Sequence, residues 1–103
     1  MAELKGAIED KDVFLRVTAM HAVGRLGPVL GDDAKGVVEL LLPRLTDGVV
    51  EVRLAAIQAC GALGPDALGD DLRKVIGKLE FSAGDALADV RTAATAALAR
   101  LKK

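Results

Sequence analysis

The 103 residues suffice for one domain, and a content of 51% apolar and 28% charged residues is that of a folded, soluble chain. Trp, Tyr and Asn are absent, and Ser82, Cys60 and His21 are the single Ser, Cys and His, so a nucleophilic triad or a four-ligand zinc site has almost nothing to be built from. Fifteen acidic against fourteen basic side chains, a net charge of −1, provide no electrostatic footprint for nucleic acid, and one cysteine allows no internal disulfide.

A fixed period organises the rest. Arg16-Val-Thr-Ala-Met-His-Ala-Val-Gly-Arg-Leu-Gly-Pro28 recurs 37 residues later as Arg53-Leu-Ala-Ala-Ile-Gln-Ala-Cys-Gly-Ala-Leu-Gly-Pro65, and 38 residues further on as Arg91-Thr-Ala-Ala-Thr-Ala-Ala-Leu-Ala-Arg-Leu101. Leu4, Leu41 and Leu79 fall into one register, as do Asp10, Asp47 and Asp85, and Leu30-Gly-Asp-Asp33 returns as Leu68-Gly-Asp-Asp71.

In chain order, the first helix is expected over about residues 2–9, carrying Leu4 and Ile8, and the second over about 12–26, with a core stripe of Leu15, Ala19, Ala22, Val23 and Leu26. Gly27-Pro28 ends it, because Gly tolerates a left-handed exit and Pro cannot continue the ladder. The third helix, about 33–46, buries Ala34, Val37, Val38, Leu41 and Leu45, with Asp32 as its expected N-cap. The fourth, about 49–63, carries Val52, Ala56, Ala59, Cys60 and Leu63 and stops at Gly64-Pro65. The fifth, about 70–83, starts from Asp70 as N-cap and carries Leu72, Val75, Ile76, Leu79 and Ala83. The sixth, about 86–101, carries Val90, Ala94, Ala97, Leu98 and Leu101. No strand is expected.

Each of Asp10, Asp47 and Asp85 stands six residues before Arg16, Arg53 or Arg91, and Leu or Val precedes or neighbours each Arg. With Asp47-Gly-Val-Val-Glu-Val-Arg53, Ala55-Ala56, Leu63-Gly64 and Pro43 in the preceding helix, the chain resembles HEAT repeats over essentially its whole length. The Trp/Tyr and Thr-Pro-Leu-His signatures of tetratricopeptide and ankyrin repeats are missing, and the period is too long for either. The resemblance implies an all-α fold, a right-handed solenoid of three stacked HEAT-like hairpins built from about six helices. It implies one domain over 1–103, with units at about 2–28, 32–65 and 70–101. It also implies an Asp–Arg ladder of Asp10, Arg16, Asp47, Arg53, Asp85 and Arg91 linking successive turns, a structural role rather than an anion site. The three Asp residues are expected to cap the second helices as well.

Other residues that could carry chemistry have plainer roles. Cys60 shares a register with Val23 and Leu98, so it is expected in the core. Gly24, Gly27 and Gly31 end a helix instead of following a strand, which excludes a dinucleotide loop. Asp32-Asp33 and Asp70-Asp71 lack the further oxygen ligands that a divalent ion needs. No metal, cofactor or catalytic residue is therefore assigned.

By resemblance, the second helices line a concave face. Its non-core stripe is Phe14, Thr18, His21 and Arg25, then Glu51, Ala55, Gln58 and Ala62, then Asp89, Ala93, Ala96 and Arg100. The candidate partner-binding residues are Phe14, Thr18, His21, Arg25, Glu51, Gln58, Asp89 and Arg100, with small residues between them that admit a helix or an extended peptide. Thr92, Thr95 and Ala99 replace the apolar residues and Gly of the earlier units, so the last unit reads as a polar cap. The expected function is a non-catalytic protein-interaction module or scaffold. Two alternatives are a structural subunit or segment of a larger HEAT assembly, and an accessory to an enzyme of the kind that HEAT-like bilin lyase proteins represent. A protein partner is expected, and neither nucleic acid nor membrane. The early Glu3, Glu9 and Asp10 do not suit an amphipathic transit peptide, no apolar run is long enough for a signal peptide, and the expected location is intracellular and cytoplasmic.

Overall fold

Period-3.6 apolar stripes become helices. In the computed structural model, which describes residues 2–102, these are α1 (Ala2–Ile8), α2 (Val13–Leu26), α3 (Ala34–Arg44), α4 (Val50–Leu68), α5 (Leu72–Ser82) and α6 (Ala88–Leu101). Short 3₁₀ stretches at Gly27–Asp33 and Gly69–Asp71 lead into α3 and α5, and there is no strand among the described residues.

Glycines set the helix ends. Gly27 closes α2 with φ of 46° and Gly69 closes α4 with φ of 53°, both in the left-handed region that a Cβ disfavours. The expected stop at Gly64-Pro65 is only a break. Gly64 leaves helical geometry at φ 84° and ψ 168°, but Pro65 pre-sets the first position of a further turn and helix resumes to Leu68. Pro43 sits in the last turn of α3.

The expected caps of α3 and α5 are corrected. The N-cap positions fall on Asp33 and Asp71, neither of which makes a side-chain capping bond, while Asp32 and Asp70 lie within the 3₁₀ stretches. The tight 3₁₀ lead-in runs directly into the α-helix and leaves no extended residue whose carboxylate could turn back onto the first N–H groups.

Each even-numbered helix packs on the helix before it, and α2, α4 and α6 lie side by side with α4 in the middle. The smallest dimension, 18 Å, corresponds to two layers of helices. The core runs from Ile8, Met20 and Val23 through Val37, Val38, Leu41 and Leu45 to Val52, Ile57 and Cys60, then Val75, Leu79 and Val90.

Because α4 is covered by neighbours on both sides, its burial extends beyond a single stripe. Ala55, Ile57 and Gly61 are buried together with Val52, Ala56, Ala59, Cys60 and Leu63. Ala55 therefore belongs to the core and not to the exposed face where its spacing placed it. Conversely, Leu15, placed in the core by its spacing, is 44% exposed, because no second helix among the described residues covers that side of α2. Met20, at the register of Ile57, is fully buried.

Candidate interaction surface

The turns that join paired helices are built alike three times. The Oδ1 of Asp10 accepts from the Asp12 N–H at 2.8 Å, that of Asp47 from Val49 N–H at 2.9 Å, and that of Asp85 from Leu87 N–H at 2.9 Å. Each carboxylate thus folds onto the backbone two residues on, an Asx turn that delivers the chain into the next helix. These aspartates do not cap the helices themselves. The N-cap of α2 is Asp12, whose carboxylate accepts from Phe14 N–H, while Val49 and Leu87 occupy the N-caps of α4 and α6.

The arginines reach back to the same turns. Arg16, Arg53 and Arg91 donate through Nη1 to the carbonyl oxygens of Asp10, Asp47 and Asp85 at 3.1, 2.8 and 2.8 Å, and Arg91 also to Ala86. Within a turn the bond is to the Asp backbone, leaving the carboxylate to its Asx turn. Between turns, Arg53 Nη2 lies 3.9 Å from Asp85 Oδ2, whereas Asp47 is paired with Arg44 at 3.2 Å.

Replacing Arg53 by Ala removes a partly buried, charge-assisted bond, and is expected to lower the unfolding free energy by about 1.5–3 kcal/mol. Arg91→Ala, at an exposed turn, is expected to lose less than half as much. Urea denaturation midpoints of the two variants check both values.

Cys60 lies fully inside, and burial pushes its thiol up from 9.0 to about 12. Below pH 9 the thiol is protonated in both folded and unfolded chains, so it adds no pH dependence. Between pH 9 and about 12 the unfolded chain releases the proton and the folded one holds it, so stability falls as pH rises. Cys60→Val, matching Val23 at the equivalent position, is expected to remove this part of the alkaline loss. Comparing denaturation midpoints of the two proteins at pH 8 and pH 10.5 tests it.

On the outer side of the second helices, a groove of 550 Å³ runs between α4 and α6. Leu54, Gly61, Ala93 and Ala97 form its apolar part, and Gln58, Asp89 and Arg100 supply polar groups. A smaller groove of 220 Å³ between α2 and α4 is lined by His21, Gly24, Arg25, Gln58, Ala59 and Ala62. Gln58 and Ala62 border both grooves and join them into one surface. Five of the candidate partner-binding residues, His21, Arg25, Gln58, Asp89 and Arg100, meet there.

The other three stand apart. Thr18 lines a different groove with Leu4 and Leu15 of the α1–α2 end, and Phe14, 73% exposed, and Glu51 border neither of the two joined grooves. Phe14 and Glu51 sit in the first turns of α2 and α4, whereas Asp89, at the same position of α6, lines the larger groove. Leu54 and Thr92, absent from the expected stripe, line the larger groove instead. The signal that could have found them is their i−4 spacing from Gln58 and Ala96.

The helix α3, the Asp47 turn and α4 form the central pair, and residues 37–67, which span it, match the family model for the HEAT repeat. The central hairpin is thus similar to a HEAT repeat. The match includes Asp47, Arg53 and the Gly64 break, so the Asx turn and the Arg–carbonyl bond described above fall within the matched segment. No curated protein matches the chain.

Proposed function

We propose that the chain is a right-handed solenoid of three HEAT-type hairpins, with units at about residues 2–28, 32–65 and 70–101, acting as a non-catalytic protein-interaction module. The HEAT-repeat match at 37–67 supports an interaction or scaffold role, and the observation that carries the reading is the joined groove across α2, α4 and α6. Its floor is made of Gly and Ala, which lets a partner backbone approach closely. Arg25 and Arg100 lie in the last turns of α2 and α6, and Asp89 lies in the first turn of α6. This polarity favours a helical or extended segment with an acidic residue at the arginine end and a basic one at Asp89. Of the Asp–Arg turns, the second is linked to the third through Arg53 and Asp85, which helps to hold those two units in register.

The test is a displayed peptide library panned against the full chain, followed by affinity measurements on groove variants. Peptides enriched on the unsubstituted protein are expected to bind at least about tenfold more weakly to Gln58→Arg and Ala96→Arg, with Glu80→Ala unchanged. Enriched peptides indifferent to both groove variants would remove this surface from consideration, as would a library that yields no binder. A second reading, a subunit whose end face is covered by another helical repeat, is favoured by the exposure of Leu15.

A further inference from the structure

On the outer side of the second helices, α6 alone carries opposite charges at its two ends. Asp89, Ala93, Ala96 and Arg100 follow one another at intervals of 4, 3 and 4 residues, which places them on one stripe, three turns and about 16 Å long. All four line the 550 Å³ groove beside α4; Asp89, Ala96 and Arg100 are exposed and Ala93 is half-buried. Neither Asp89 nor Arg100 has an ion-pair partner among the described residues. The equivalent stripes end differently, in Phe14 and Arg25 on α2 and in Glu51 and Ala62 on α4. The helix dipole favours an acid in the first turn and a base in the last, but on any side of a helix. It does not account for both standing on the outer stripe with two alanines between them.

The intervals 4, 3 and 4 read the same from either end. Reversing the helix exchanges Asp89 with Arg100 and Ala93 with Ala96, so the stripe is complementary to itself in the antiparallel direction. A second α6 laid antiparallel on the first, about a two-fold axis at the level between Ala93 and Ala96, sets Asp89 against the partner's Arg100 at both ends and alanine against alanine at the centre. A parallel alignment sets carboxylate on carboxylate and guanidinium on guanidinium, which is repulsive. With only methyl groups at the centre, the two helices can approach to the short end of the usual interaxial range, and both charged ends come within reach of each other. The groove lies between two helices already in contact, so a hairpin stacked beside α2 or beside α6 leaves it open.

We propose that the chain forms a two-fold dimer through antiparallel α6 helices, with two Asp89–Arg100 ion pairs flanking a centre of Ala93 and Ala96. The second α6 is a helical segment with its acid at the arginine end and its base at Asp89, which is the ligand chemistry assigned above to this surface. The dimer therefore rests on that reading of the surface and names its partner as a second copy.

The test is sedimentation equilibrium of the full chain. One helix pair is a small interface, so the unsubstituted protein is expected to show a monomer–dimer equilibrium with a Kd between about 10 μM and 1 mM. Asp89→Arg and Arg100→Asp each bring like charges together at both contacts, and each is expected to weaken self-association at least about tenfold. An equimolar mixture of these two variants, and the double variant Asp89→Arg/Arg100→Asp, restore opposite charges and are each expected to dimerise within about threefold of the unsubstituted affinity. Recovery in the mixture also shows that both single variants are folded. A chain that is monomeric throughout this range would overturn the proposal, as would single variants that associate normally or that neither the mixture nor the double variant repairs. Peptide binding is read separately. A monomeric chain whose enriched peptides still respond to Gln58→Arg overturns the dimer alone, and charge-dependent dimerisation without any peptide binder upholds it.

Discussion

Ile57→Ala is expected to lower the unfolding free energy by about 3–4 kcal/mol and the melting temperature by roughly 10–20 °C. The side chain is 0% exposed, on the helix that packs against both α2 and α6, so its removal leaves a cavity lined by helices that cannot collapse independently. The total stability of a domain of this size is about 5–15 kcal/mol, so the loss is a large share of it. Leu15→Ala provides the contrast. The same kind of truncation on the same layer of helices is expected to cost under about 1 kcal/mol, because Leu15 is already 44% exposed. Denaturant midpoints for both variants check the difference, and equal losses would contradict the placement of α4 between two neighbours.

Gly61→Val is expected to destabilise by about 2–3 kcal/mol or more, through overpacking. The first added carbon would stand 3.1 Å from Ala97 Cβ and 3.2 Å from Ala97 Cα. The second contact is backbone, so relief requires moving α6 as a whole. Gly61→Ala meets the same contacts but regains about 1 kcal/mol of helix propensity, leaving a smaller net loss. Gly77→Ala, in the exposed middle of α5 with nothing within 4 Å of the new methyl group, is expected to gain about 0.5–1 kcal/mol. The three glycine variants thus differ in sign and size for reasons set by the neighbouring helix, and thermal melts separate them.

Much of the local structure was legible in the residues. The six helices follow from i, i+3, i+4, i+7 spacing, and their observed limits differ from expectation by a few residues at most at the starts and ends, α4 apart. There the Gly64 break is present but the chain resumes its helix, a choice made by Pro65 and the apolar Leu68 that packs into the core. Cys60 is buried, as its register with Val23 and Leu98 indicates.

What linear spacing could not decide is which helix face has a neighbour. Residues at equivalent positions carry similar side chains, yet Val52 is buried and Leu15 is exposed, because α4 lies against α2 and no second helix among the described residues lies against that side of α2. The same asymmetry moved Ala55 into the core and separated Thr18 from His21. The sequence by itself determined the helices, their turns and the Asp–Arg spacing, since these depend on contacts within about eight residues. Only the tertiary structure decided the surface, because burial depends on what lies beside a helix, and residues at the same repeat position meet different neighbours.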